Sequence, residues 1–316
     1  MDIGYLLFLQ DFRYRIHDAW TPFMQEISWV SISLLFLVPV FIYWCVNKKN
    51  GLFTLAAMCV GQTVLAVTKL TACVYRPWVR DARILPAGNA LTNATGYSFP
   101  SGHTSFATTM YGGTALGFWS DKRTRWISVL CVLALLLTGF SRNYLGVHTP
   151  QDVLAAMISG VLVLWGMYVL FAYLTTHPEK ENRWLLAGVV VSALSLLYIT
   201  VKPYPMEYVG GKLLVDPQKM MTDAYGDIGM LMAFCVARYV EKRYIRFQAT
   251  GMNVKGIVLG AVGLVVLAVL SNTLPAFYTP LLGEHWGRFA KQVTLVLYAV
   301  ACHPFLIKLL SSPKKN

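Results

Sequence analysis

Three short stretches of this 316-residue chain hold residues whose types and spacing suit joint chemistry. Lys69 is followed after six residues by Arg76 and Pro77. Pro100 precedes Ser101, Gly102 and His103. Ser141 and Arg142 are followed by five residues, His148, three more residues and Asp152. Lys69, Arg76 and Arg142 supply three cations, two of them guanidiniums whose planar forks grip oxyanions bidentately. The Ser101-Gly102-His103 turn stands at the head of an apolar, helical-looking run. A helix start offers unused N–H groups and the positive end of a dipole to an anion, and Gly102 lets the backbone come close to it. Two histidines and a carboxylate remain. Phosphoryl transfer calls for a nucleophile, a proton for the leaving oxygen and neutralisation of charge. Each requirement has a candidate here.

The elements that must position these residues are membrane helices. Hydrophobic residues make up 56% of the chain and charged ones only 13%, about half the roughly 25% of a soluble domain. About 20 apolar residues span a bilayer as a helix. The hydropathy pattern predicts an all-α, polytopic transmembrane bundle of about nine spans, near 28–47, 52–74, 100–119, 126–141, 150–174, 184–201, 223–240, 255–274 and 289–310. An N-terminal segment (1–27) mixes apolar and charged residues in the manner of a helix lying in the interface. A core (28–176) holds the three clusters, and C-terminal helices (177–316) complete the chain.

In this topology the clusters fall at the outer end of the second span, the start of the third, and the turn between the fourth and fifth. All three therefore meet at one membrane face. With the N-terminus outside, the inner segments carry 15 Lys and Arg and the outer ones 12. Five of the outer ones (Lys69, Arg76, Arg80, Arg83 and Arg142) crowd two loops. Setting them aside leaves 15 against 7, which is the expected bias toward the cytoplasmic side. Positive charge kept on the unfavoured side suggests a use, and Arg80 and Arg83 are candidates to extend an anion pocket toward a second phosphate or a headgroup.

The formal net charge of +12 does not point to nucleic acid, because the basic residues are scattered among short loops with no basic arm or domain. Anionic lipid headgroups or an anionic substrate account for it better. The six cysteines stand singly, without metal spacing, and read as small core residues. No metal constellation is visible, and no cofactor is expected. His177, His285 and His303 sit near span ends and read as interfacial.

Each site residue also has an ordinary reading. Lys69 suits a lysine snorkelling from a helix end. Asp152, three residues after Thr149 with Pro150 between, suits a capping box with proline at the first helical position. That role is compatible with facing His148. Three cations, two histidines and a carboxylate at one depth are poorly explained as separate accidents.

The blocks K-x6-R-P, P-S-G-H and S-R-x5-H-x3-D, in this order, resemble the signature of the type 2 phosphatidic acid phosphatase superfamily. All three match in full, between Lys69 and Asp152. The resemblance implies that His148 is the nucleophile and forms a phosphohistidine, that Asp152 hydrogen-bonds its imidazole, and that His103 is the general acid toward the leaving group. It implies that Lys69, Arg76, Ser101, Gly102 and Arg142 hold the phosphate, and that no metal is required. The expected enzyme is a multi-pass phosphatase of the plasma (inner) membrane with its site on the extracytoplasmic face. Its expected substrate is a lipid phosphate or pyrophosphate, of the phosphatidic acid, phosphatidylglycerol phosphate or undecaprenyl pyrophosphate class, drawn from the bilayer. Nine spans resemble the glucose-6-phosphatase branch in helix number, so a soluble sugar phosphate is the alternative substrate. A transporter of anionic lipids without hydrolysis is the alternative outside enzymes, and the His148–Asp152 pair speaks against it.

Overall fold

The computed structural model describes residues 2–33, 36–94 and 96–311. It is all-α, with 80% of residues helical. The long elements are α1 (Asp2–Arg15), α2 (Thr21–Ser33), α3 (Lys48–Ala72), α4 (Gly102–Phe118), α5 (Arg125–Tyr144), α6 (Pro150–Thr176), α7 (Glu181–Val201), α8 (Pro217–Val240), α9 (Val254–Leu297) and α10 (His303–Ser311). Between α7 and α8, two-residue strands β1 (Tyr208–Val209) and β2 (Lys212–Leu213) pair antiparallel, with Tyr208 opposite Leu213.

Five stretches are long and apolar enough to cross a bilayer: Lys48–Arg80, Arg125–Tyr144, Pro150–Thr176, Pro178–Val201 and Val254–Leu310. The remaining expected spans fall in less regular or less apolar elements. The third is α4, only 17 residues long and rich in glycine and threonine. The seventh lies in α8, whose N-terminal turns carry polar and charged residues. The eighth and ninth share α9 and α10, and Gly283 interrupts α9 with a φ of 75°. Within the first, α2 is described as far as Ser33, a short helix covers Leu37–Phe41, and a wider π turn covers Ile42–Val46. Residues 34 and 35, inside that expected span, lie outside the described residues.

The chain forms two compact units: one from Met1–Leu35, Val64–Trp165 and Val201–Met221, the other from Phe36–Thr63, Gly166–Thr200 and Thr222–Asn316. In the first, α4 lies along α5, and α2 packs on both. Small residues set the spacing. A Cβ on Gly139 of α5 would lie 2.6 Å from Met157 of α6, and one on Gly160 of α6 would lie 2.6 Å from Thr108 of α4. Close backbone approach at these points holds the ends of the three helices in fixed relation. α1 buries Leu6, Leu9 and Arg13 and grips the loop after Arg76. Gln10 donates to Arg83 O at 3.1 Å and accepts from Leu85 N at 2.7 Å, and Arg13 donates to Leu85 O at 2.8 Å.

The second unit packs α8 and α9 around Tyr43, Trp44 and Phe247, all nearly solvent-free. His303, expected at the interface, is instead buried here, its ring 4.0 Å from that of Trp44. Packing against an indole in the core, with the rings tilted by 42°, outweighs its position near a span end. The same unit holds an ion-pair network. Lys48 meets Glu241 at 2.6 Å, Arg238 meets Glu181 at 2.8 Å and also pairs with Glu241, and Lys242 meets Glu181 at 2.7 Å.

Candidate active site

All eight residues singled out in the sequence lie in the first unit. Lys69 is in the last turn of α3. Arg76 caps the short helix Pro77–Arg80, whose proline sits at the first helical position. His103 is in the first turn of α4, Arg142 in the last turn of α5 and Asp152 in the first turn of α6. Three helix starts and ends thus converge, and the loop before α6 supplies His148.

The start of α6 is a reciprocal cap. Thr149 N donates to Asp152 Oδ2 at 2.8 Å, and Asp152 N donates to Thr149 Oγ1 at 3.3 Å. Asp152 is therefore fixed to its own helix, and its backbone O accepts from Ser101 N at 3.0 Å. The capping reading and the proximity to His148 both hold. Asp152 Oδ2 lies 3.6 Å from His148 Nδ1, longer than an ordinary hydrogen bond. The hydroxyl of Ser98 closes the gap, donating to Asp152 Oδ2 at 2.6 Å and lying 3.4 Å from His148 Nδ1.

On the opposite edge of the imidazole, Arg76 Nη1 stands 2.9 Å from Nε2. A guanidinium has donors only, so Nε2 accepts and Nδ1 carries the proton. The ring is further held by Asn143, whose Nδ2 donates to His148 O at 2.9 Å. Arg76 is itself aimed by Gly96 O at 3.1 Å and Val147 O at 2.9 Å. His148 is only 1% exposed. Burial, and then the charges of Arg76, Arg142 and Lys69, push its pKa well below 6.5. It is a neutral base with a directed lone pair.

Arg142 is 4% exposed. It donates through Nη1 to Ser28 Oγ of α2, and among the described residues its buried Nε has no hydrogen-bond partner. A buried guanidinium with a donor to spare is suited to bind an anion. Lys69 Nζ reaches Tyr97 O at 3.3 Å. His103 lies within electrostatic range of Arg142, His148, Arg76 and Lys69.

The α4 start is capped by its own serine. The Ser101 hydroxyl is turned into its own helix, accepting from Thr104 N at 3.4 Å and from Thr104 Oγ1 at 2.9 Å. It serves there as a cap. Above Gly102, a Cβ would meet only Leu65, at 3.7 Å, so the space next to that backbone is open. Arg80 and Arg83 are engaged elsewhere, with Asp2 at 2.8 Å and with Asp81 at 2.7 Å. Ser28, Ser98 and Asn143 had no signal of their own in the sequence. Asn143 alone stood beside a motif residue.

A family model described as the PAP2 superfamily matches residues 50–176. The chain is 26% identical over 164 residues to an undecaprenyl-diphosphatase of Sulfolobus acidocaldarius, covering 51% of this chain and 71% of that protein. It is 37% identical over 97 residues to phosphatidylglycerophosphatase B of Escherichia coli, covering 28% of this chain and only 36% of that protein. It is 30% identical over 149 residues to the undecaprenyl-diphosphatase BcrC of Bacillus subtilis, covering 46% of this chain and 70% of that protein. No solved structure matches the chain. A shared region that takes in every cluster from Lys69 to Asp152 settles the kinship: the chain belongs to the PAP2 superfamily and is a phosphoric ester hydrolase.

Proposed function

We propose that the protein hydrolyses a lipid phosphate monoester or pyrophosphate through a phosphohistidine on His148, without a metal ion. The observation that carries this reading is the line Arg76–His148–Ser98–Asp152. A neutral imidazole presents an unprotonated Nε2 to a guanidinium, and its protonated Nδ1 faces a hydroxyl bound to a carboxylate. Nε2 attacks phosphorus as the bond to the leaving oxygen breaks, and His103 gives that oxygen its proton. The imidazole becomes positively charged, and Asp152 stabilises it through Ser98. Water, deprotonated by His103, then breaks the P–N bond and releases phosphate. Lys69, Arg76, Arg142 and the α4 N–H groups bind the anion. These three cations exceed the single carboxylate Asp152 by two, the charge of a phosphate dianion.

Lipid substrates are supported by the relatives named as acting on undecaprenyl diphosphate and phosphatidylglycerophosphate, and by a site at helix ends where a headgroup lies. The lysine and arginine bias supports a site on the extracytoplasmic face of the plasma (inner) membrane and a count of about nine spans. Residues 28–176 supply the chemistry, flanked by the interfacial segment 1–27 and the helices of 177–316.

The test is a panel of phosphorylated lipids and sugar phosphates, assayed for phosphate release in EDTA with the purified protein. A base-stable, acid-labile phosphoprotein should be trapped on denaturation during turnover and should be absent in His148→Ala. Activity that requires added magnesium, or a phosphoprotein that persists in His148→Ala, overturns the reading.

A further inference from the structure

The second unit contains a cavity of about 570 Å³, within the roughly 300–1,000 Å³ of small-molecule sites. Four helices line it, each with residues at helical spacing. On α3 the stripe runs Lys48, Leu52, Ala56, Val60; on α8 it runs Arg238, Cys235, Phe234, Leu231. Segments of α6 and α7 complete the walls. From Lys48 to Val60 the cavity follows three turns of helix, about 18 Å.

Its two ends differ. Lys48, Lys49, Glu181 and Arg238 stand at one, while Val60, Met167, Val191 and Leu231 close the other. Counting the lining residues and their ion-pair partners, four cations (Lys48, Lys49, Arg238, Lys242) face two carboxylates (Glu181, Glu241). The charged end therefore has an excess of two positive charges. Glu241 is fully buried, so its charge is committed to Lys48 and Arg238, whereas Lys49 is exposed. The cavity is an amphipathic slot, basic at the mouth and hydrocarbon-lined along its length. Basic pockets between membrane helices recognise anionic headgroups.

We propose that this cavity is a second lipid site, which takes one hydrocarbon chain of an anionic, phosphate-bearing lipid and holds its headgroup at Lys48, Lys49 and Arg238. It shares no residue with the catalytic cluster and does not depend on the substrate reading above. The mouth rejects a quaternary ammonium headgroup by charge, and the slot gives the chain a place away from the surrounding lipid.

The full-length protein in detergent is melted with increasing phosphatidylglycerol or phosphatidylcholine of identical chains. Phosphatidylglycerol is a phosphodiester and so is not itself a monoester substrate. It should raise the melting temperature saturably and by more than phosphatidylcholine, as a ligand of the native state does. Lys49→Glu should weaken its apparent affinity roughly tenfold, as expected for reversing one charge near a headgroup. Val191→Trp, at a residue that is half exposed yet lines the slot, should block the chain and remove the difference between the two lipids. A phosphatidylglycerol with a photoreactive chain should label the Met167–Leu174 or Leu185–Val191 stretches, and unlabelled phosphatidylglycerol should compete. Equal stabilisation by both lipids, an undiminished difference in both variants, or labelling confined to other helices overturns the proposal. The first of these results would make the occupant a neutral lipid chain.

Discussion

Arg142 and Arg238 are both arginines near the end of a long apolar helix, and they are treated differently. Arg142, at the end of α5, meets a serine hydroxyl and keeps a buried Nε without a partner among the described residues. Arg238, at the end of α8, gives Nε to Glu181 and Nη1 to Glu241. A guanidinium satisfied by carboxylates holds helices together and has little left for a ligand. One left short of acceptors is costly in the empty protein, and a bound oxyanion removes that cost. Unsatisfied charge marks the candidate site at Arg142, and compensated charge marks the network around Arg238.

The hardest test of that contrast is the nucleophile. His148→Ala should reduce turnover to the uncatalysed background while vanadate still binds, since the cations remain. Loss of vanadate binding would make His148 a ligand rather than the attacking group. Asp152→Asn should keep the α6 cap, because an amide oxygen still accepts from Thr149 N, yet slow turnover on the order of 10³- to 10⁴-fold by failing to support the charged imidazole. Near-normal turnover in a folded Asp152→Asn would leave only the capping role.

The two arginines should then separate cleanly. Arg142→Ala should cost about 10²- to 10³-fold in kcat, as for removal of a charge-stabilising donor, with an unchanged melting temperature. Arg238→Ala should leave kcat per folded molecule intact but lower stability by about 3 kcal/mol, because Glu241 loses a buried partner. If the two variants behave alike, the contrast between the units fails. Ser98→Ala should give a smaller loss, about tenfold, with KM unchanged, because the Asp152 carboxylate then faces Nδ1 directly across the 3.6 Å gap.

The smallest effect is in pH. Burial among three cations keeps His148 neutral in the folded protein until well below pH 6.5, whereas in the unfolded chain it protonates near that value. The unfolded state therefore binds more protons, and stability should fall as pH drops below about 6.5. An imidazole NMR titration, with His148→Gln supplying the assignment, should show the His148 resonance still unprotonated well below pH 6.5.

The residues that meet at the candidate site were legible as neighbours because each lies in a short motif whose spacing is set locally: Lys69 and Arg76 around the end of α3, His148 and Asp152 around one helix start. Their supports were not. Ser28 meets Arg142 across 114 residues and Ser98 meets Asp152 across 54, and no local pattern announces such a meeting. Ser101 was legible as a helix start, and its hydroxyl accepts from Thr104 there. The helical class followed from composition. The irregularities inside the expected spans did not, because one glycine at 283 and the polar turns of α8 weigh little in a hydropathy sum. His303 was misjudged because proximity to a span end says nothing about an indole packed against it.

The guanidinium of Arg76 rests on His148 Nε2, the nitrogen we propose attacks phosphorus. In the empty enzyme the lone pair of His148 is therefore masked, and electrophiles such as diethyl pyrocarbonate should modify it slowly. An incoming phosphate competes for that same guanidinium, and drawing Arg76 away uncovers the nitrogen. Recognition and arming are one event: a lipid alcohol without its phosphate meets a nucleophile with the safety still on.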